Sequence, residues 1–159
     1  MCEITINLES PLGHGNDGSV WASNRDSAIK AVYRERNYRA EVECYQRLKE
    51  AKTEKVDDFV VPRLLGFNDD LRVIEIEIVE PPYLIDFGKV SLDIPPDYPA
   101  EILAEEEERH AELYGEHWPK IASVLAQLQH YYGIYYLDPK PGNIMPAGWH
   151  DEDATNRSN

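Results

Sequence analysis

Two periodicities divide the chain. Ile4, Ile6 and Leu8 alternate with Glu3, Thr5 and Asn7, the period of two that marks a half-buried strand. Gly13, Gly15 and Gly18 interrupt this alternation, and Ser19 to Ala22 resumes it. Asn24-Arg25-Asp26 reads as a turn, and Ser27 to Tyr33 as a third strand. From Arg36 to Ala51 the spacing changes: Tyr38, Val42, Tyr45 and Leu48 fall on one helical face among charged residues. A polar break over Thr53 to Asp58 precedes Pro62 and two more strands, Arg63 to Phe67 and Arg72 to Glu80, turned by Asn68-Asp69-Asp70. Pro81-Pro82 ends the last strand, and prolines at 95, 96 and 99 mark an extended connector.

Helical spacing then dominates. Ala100 to about Gly115 is an acidic helix with Glu105 to Glu108 on a solvated face. Trp118 to Tyr132 is a second helix, with Ile121, Leu125 and Leu128 at core spacing and Gly133 as its stop. Ile134 to Leu137 leads into the loop that begins at Asp138, and Asp151 to Asn159 reads as a frayed polar tail. The pattern predicts an α+β fold: a five-stranded antiparallel sheet with one packed helix, then a small helical part.

Composition narrows the classes. The 159 residues suffice for one domain, and 42% hydrophobic content with ten Tyr and three Trp indicates a folded one. A net charge of −14 argues against nucleic acid and anionic membranes, both of which are negative surfaces. Cys2 and Cys44 have no metal-ligand spacing, which suits a reduced cytosolic protein. The N-terminus lacks a signal-peptide pattern, and no apolar run approaches the roughly 20 residues that span a bilayer. The expected location is cytoplasmic.

Three clusters carry candidate chemistry. Gly13 to Val20 (GHGNDGSV) fits G-x-G-x-x-G-x-V, in which glycines admit phosphate close to the backbone. A dinucleotide-binding turn needs a helix next, whereas here a strand follows, so the segment reads as a hairpin. Lys30 lies on the next strand, sharing a face with Ala28 and Val32. Asp138-Pro139-Lys140-Pro141-Gly142-Asn143 sets an aspartate, a lysine and an asparagine in one short loop. In this order the clusters resemble the protein-kinase-like superfamily, in the form of a truncated, minimal bacterial serine/threonine-kinase-like protein.

The resemblance implies a kinase-like small lobe over residues 1–80, a hinge and connector over 81–97, and a truncated large lobe over 98–159, all one compact unit. It implies ATP and Mg2+ as cofactors. Gly13, Gly15, Gly18, Val20 and Ala28 would enclose the nucleotide, and backbone near Glu80 would face adenine. Lys30 would contact phosphates, held by a helix glutamate. Glu41 and Glu43 compete for that role, and Glu41 is favoured because it shares a face with Tyr45 and Leu48, while Glu43 is turned by about 200°. Asp138 would accept the hydroxyl proton, Lys140 would neutralise the transferred group, and Asn143 would hold the metal.

A second metal carboxylate is expected after Asn143 across a tight hairpin, as Asp151 ahead of Asp153. Asp86-Phe87-Gly88 spells the kinase metal motif, but it precedes Asp138 where the superfamily has it following. It therefore reads as a local feature nearer a ribose than a metal. Three functions stay open: ATP-dependent phosphotransfer to a hydroxyl, a pseudokinase binding nucleotide or a protein partner, and an acidic interaction domain. The acceptor and the oligomeric state are not legible.

Overall fold

The computed structural model describes residues 6–150, so Cys2, Asp151 and Asp153 lie outside the described residues. Strands β1 (Leu8–His14), β2 (Gly18–Ser23), β3 (Ser27–Val32), β6 (Leu64–Asn68) and β7 (Val73–Glu77) form one sheet in the order β1-β2-β3-β7-β6. Every neighbouring pair in it is antiparallel. Helix α1 (Glu35–Glu50) joins β3 to the rest and buries Tyr38, Glu41, Val42, Tyr45 and Leu48. The expected five-stranded antiparallel sheet with one helix is present.

β1 is an exposed edge strand, which explains how it tolerates Pro11. The β1–β2 turn closes with Gly15 N–H donating to the Gly18 carbonyl at 2.9 Å. Glycine at 18 has a packing reason: a Cβ there would stand 2.4 Å from the Ala31 carbonyl oxygen. At Gly13 and Gly15 a Cβ would meet nothing within 4 Å. β7 stops at Glu77 rather than Glu80. Its partners run out there, since Ser27 pairs with Glu77 and Leu64 with Ile76.

The connector is more than extended chain. Between the short strands β4 (Lys55–Val56), β5 (Phe59–Val60) and the helices lie β8 (Tyr83–Leu84) and β9 (Val90–Leu92). Helices α2 (Ala100–Tyr114) and α3 (Trp118–Tyr132) follow, joined by one 3-10 turn. Gly133 ends α3 in the left-handed conformation with φ 66°, the C-terminal stop expected of it. Strands β10 (Ile134–Tyr136) and β11 (Ile144–Met145) then bracket the Asp138 loop.

β10 pairs with β9, matching Tyr136 to Val90, and β11 pairs with β8, matching Ile144 to Leu84. Segment 83–92 therefore straps the loop from both sides. Ile85 N–H donates to the Asn143 carbonyl at 2.8 Å, and Leu137 N–H to the Lys89 carbonyl at 3.1 Å. Ile121, Val124 and Leu128 of α3 pack with Tyr114, Leu84, Ile134 and Ile144 in the core beneath. No helix among the described residues is long and apolar enough to cross a membrane.

Replacing Gly18 by Ala forces β2 away from β3, because the obstructing atom is backbone. The expected cost is about 1–3 kcal/mol, read as a lowered melting temperature. Gly13→Ala and Gly15→Ala stay within about 0.5 kcal/mol of wild type.

Candidate functional site

Lys30 projects from the middle of β3, where Val20 and Ile74 are its cross-strand partners. Strand alternation turns it inward with Ala28 and Val32, and it is buried. Its Nζ donates to both carboxylate oxygens of Glu41, each at 2.8 Å. Glu41 is 1% exposed, one helical turn before Tyr45 on the buried face of α1. Glu43 points elsewhere and pairs with Arg47 at 3.0 Å.

Lys30 has a second carboxylate partner: Asp86 Oδ1 stands 3.0 Å from Nζ. No local pattern in the sequence foretells this pair. Phe87 is fully buried, edge-on to Tyr45 with ring centroids 5.0 Å apart and packed on Tyr136. That anchor fixes the turn. Asp86 adopts φ 66°, a left-handed conformation that aspartate tolerates better than most residues, and its carboxylate accepts from Gly88 N–H at 3.2 Å. Tyr136 Oη donates to the Ile85 carbonyl at 2.6 Å and contacts that of Asp86.

Two carboxylates on one ammonium leave the trio with surplus negative charge. Burial works against the Lys30 ammonium, but Glu41 and Asp86 outweigh it and hold its pKa above the ordinary value. Burial likewise lifts the Glu41 carboxyl, with Lys30 opposing. For Asp86 the desolvation is overcome by Lys30 and by the Gly88 N–H, so its pKa lies below the ordinary carboxylate value.

These groups close one end of a cavity of about 770 Å³ between the sheet and the loop, a size suited to a small ligand. Gly13, Gly15, Gly18, Val20 and Ala28 line it with Lys30, Lys140 and Asn143, as the sequence reading expects. One side is apolar, with Ile76, Ile78, Val79 and Ile85; the other narrows into an annex of about 30 Å³. Lys30, Glu41, Asp86, Lys140 and Asn143 all face that annex. Asn143 is set there by a turn in which its N–H donates to the Lys140 carbonyl at 2.9 Å.

Two expected residues stand apart from the cavity. Glu80 is exposed, while its neighbour Val79, within the backbone stretch expected to face adenine, lines the wall with Glu77 and Ile78. Asp138 is not on the cavity wall; its charge acts on His110 and Tyr114 beneath the loop. Asp151, expected as a metal ligand, lies outside the described residues.

No protein-family model matches the chain, and no curated protein matches it in sequence. Among solved structures it is similar to APH(2'')-IIa, determined as a ternary complex with streptomycin and ATP. That match has 17% identity and a TM-score of 0.39, covering 77% of this chain and 36% of the other. It is also similar to the ADP-bound aminoglycoside phosphotransferase APH(2'')-Ib, at 16% identity and a TM-score of 0.42, covering 87% and 38%. The chain spans well under half the length of either.

Glu41→Ala strands a buried ammonium with only a partly exposed partner, and the expected loss of stability is about 3–5 kcal/mol. Asp86→Asn costs less, up to about 1 kcal/mol at pH 7, because Asp86 is partly exposed. Its folded-state pKa is depressed, so the contribution exists above the ordinary value of 3.8 and vanishes as pH falls through the folded-state value. Melting curves of wild type and variant should converge in acid.

Proposed function

We propose that this chain binds a nucleoside triphosphate, MgATP, in the cavity and is built for phosphoryl transfer to a hydroxyl acceptor. The observation that carries the reading is the buried Lys30, locked by Glu41 and Asp86 at the polar end of a nucleotide-sized cavity under a glycine hairpin. The apolar side takes the base, and the polar end of the same cavity, lined by Lys30, Lys140 and Asn143, takes the phosphates. Lys30 meets the phosphates from the sheet, and Lys140 from the loop, each as a point charge.

The donor set fits a hard cation. Among the described residues no three His, Cys, Asp or Glu side chains are grouped to hold a metal. Magnesium, however, is bound through one or two carboxylates together with waters and substrate phosphates. Asp86 supplies the carboxylate and Asn143 the amide oxygen, placed side by side by the hydrogen bond between Ile85 and Asn143. Magnesium bound there supplies charge neutralisation for the phosphates. This assigns Asp86 the role expected of Asp151.

Asp138 is the residue of this chain that would hold the acceptor proton. Its place off the cavity wall favours a second reading, nucleotide binding without turnover, as in a pseudokinase that engages a protein partner.

Calorimetric titration with MgATP tests the site. Wild type binds, and a hundredfold excess over Kd stabilises the fold by about 2.7 kcal/mol. Lys30→Met abolishes binding, whereas Asp86→Asn and Asn143→Ala weaken it in magnesium and change little in EDTA. Asp138→Asn leaves binding intact and removes turnover; wild type that binds but never turns over ATP selects the second reading. A wild type that binds no nucleotide overturns both.

A further inference from the structure

Three lysines and three carboxylates face the annex: Lys30, Lys89 and Lys140 with Asp17, Glu41 and Asp86. Their pairing is uneven. Lys30 is buried between two carboxylates and cannot leave them cheaply. Lys89, the residue after Gly88, has one partner: its Nζ lies 3.1 Å from Asp17 Oδ2, with side chains 50% and 35% exposed. An ion pair of that exposure is worth at most about 1 kcal/mol.

The two residues come from opposite sides of the cavity. Asp17 sits at the turn of the glycine hairpin, tied by its carbonyl to Tyr33 N–H at 3.0 Å and approached by Asn37 Nδ2 at 3.5 Å. Lys89 sits on the strap, its backbone fixed by Leu137 at 3.1 Å while its side chain crosses the cavity. Both line the main chamber as well as the annex. The pair therefore bridges the hairpin to the strap across the place a phosphate would enter.

We infer that Lys89 is a phosphate-binding residue for which Asp17 competes. A polyanionic ligand offers Lys89 several oxygens in place of one weakly held carboxylate, so Lys89 exchanges Asp17 for the ligand. The exchange unlatches the hairpin from the strap. Asp17 thereby sets a threshold: it holds the cation the ligand needs and presents a like charge to it. This rests on the nucleotide reading above and adds two residues with opposite effects on affinity.

MgATP titration of the single and double variants tests the exchange. Lys89→Met should weaken binding about tenfold, the worth of one charged hydrogen bond. Asp17→Asn should tighten it about two- to fivefold. In the Lys89→Met background Asp17→Asn should give a smaller gain, that of the removed like charge alone, because there is no lysine left to release. Lys120→Met, which breaks a surface pair with Asp58 away from the cavity, controls for net charge and should leave Kd unchanged. Melting curves confirm that each variant is folded. If wild type binds and Lys89→Met binds equally well, or Asp17→Asn tightens binding equally in both backgrounds, the exchange is wrong and the nucleotide reading stands. If wild type does not bind, both fall together.

Discussion

The ammonium of Lys30 is the constraint on which the rest of the structure depends. A buried lysine is costly unless its charge is met at close range, and here two carboxylates meet it from two other parts of the chain. Glu41 brings α1 onto the sheet, and Asp86 brings the strap beneath it. Three segments distant in sequence thus share one charge. The sheet and α1 cannot part without stranding a buried charge, whereas the strap adds the weaker, partly exposed contact. The aromatic packing of Tyr45, Phe87 and Tyr136 surrounds the same point and excludes water from it. Exclusion of water strengthens the ion pairs, and the ion pairs fix the rings.

Strand pairing depends on adjacency in space and is indifferent to order along the chain. β8 and β9 are formed before α2 and α3, and β10 and β11 after them, yet they pair around one loop. The two helices carry the chain away and return it to the partner it left. Asp86 consequently arrives beside Asn143 from upstream, where the superfamily that the chain resembles delivers an aspartate from downstream. The carboxylate beside Asn143 among the described residues thus comes before it in the chain, the reverse of the order that the sequence leads one to expect.

That reversal explains what the sequence could and could not reveal. Strong periodicity marked β2, β3, α1 and α3, the last over the same fifteen residues as observed. The Lys30–Glu41 pair was legible too, since strand alternation and helical phase each chose one face. The paired strands β8 to β11 span two or three residues each, too short for any period to show. The meeting of Asp86 with Lys30 was not legible, because it depends on long-range strand pairing rather than on chain order. β7 is shorter than its alternation suggests for a related reason: alternation continues through Ile78, but pairing stops where the neighbouring strands stop.

The two sides of the site are built to different standards. On one side Lys30, Glu41 and Asp86 hold one another at close range, and the loop backbone is pinned by strands on both flanks. Asp138 acts on the end of α2, which buries just His110 and Tyr114 of its fifteen residues. His110 Nε2 is buried without a hydrogen-bond partner, and burial lowers the pKa of that ring, so it offers Asp138 no firm cation. An acceptor hydroxyl must be oriented from both sides to react, because misplacement by about an ångström can cost a hundredfold in rate. The Asp138 side is thus less firmly built than the opposite side, where Lys30, Glu41 and Asp86 hold one another at close range.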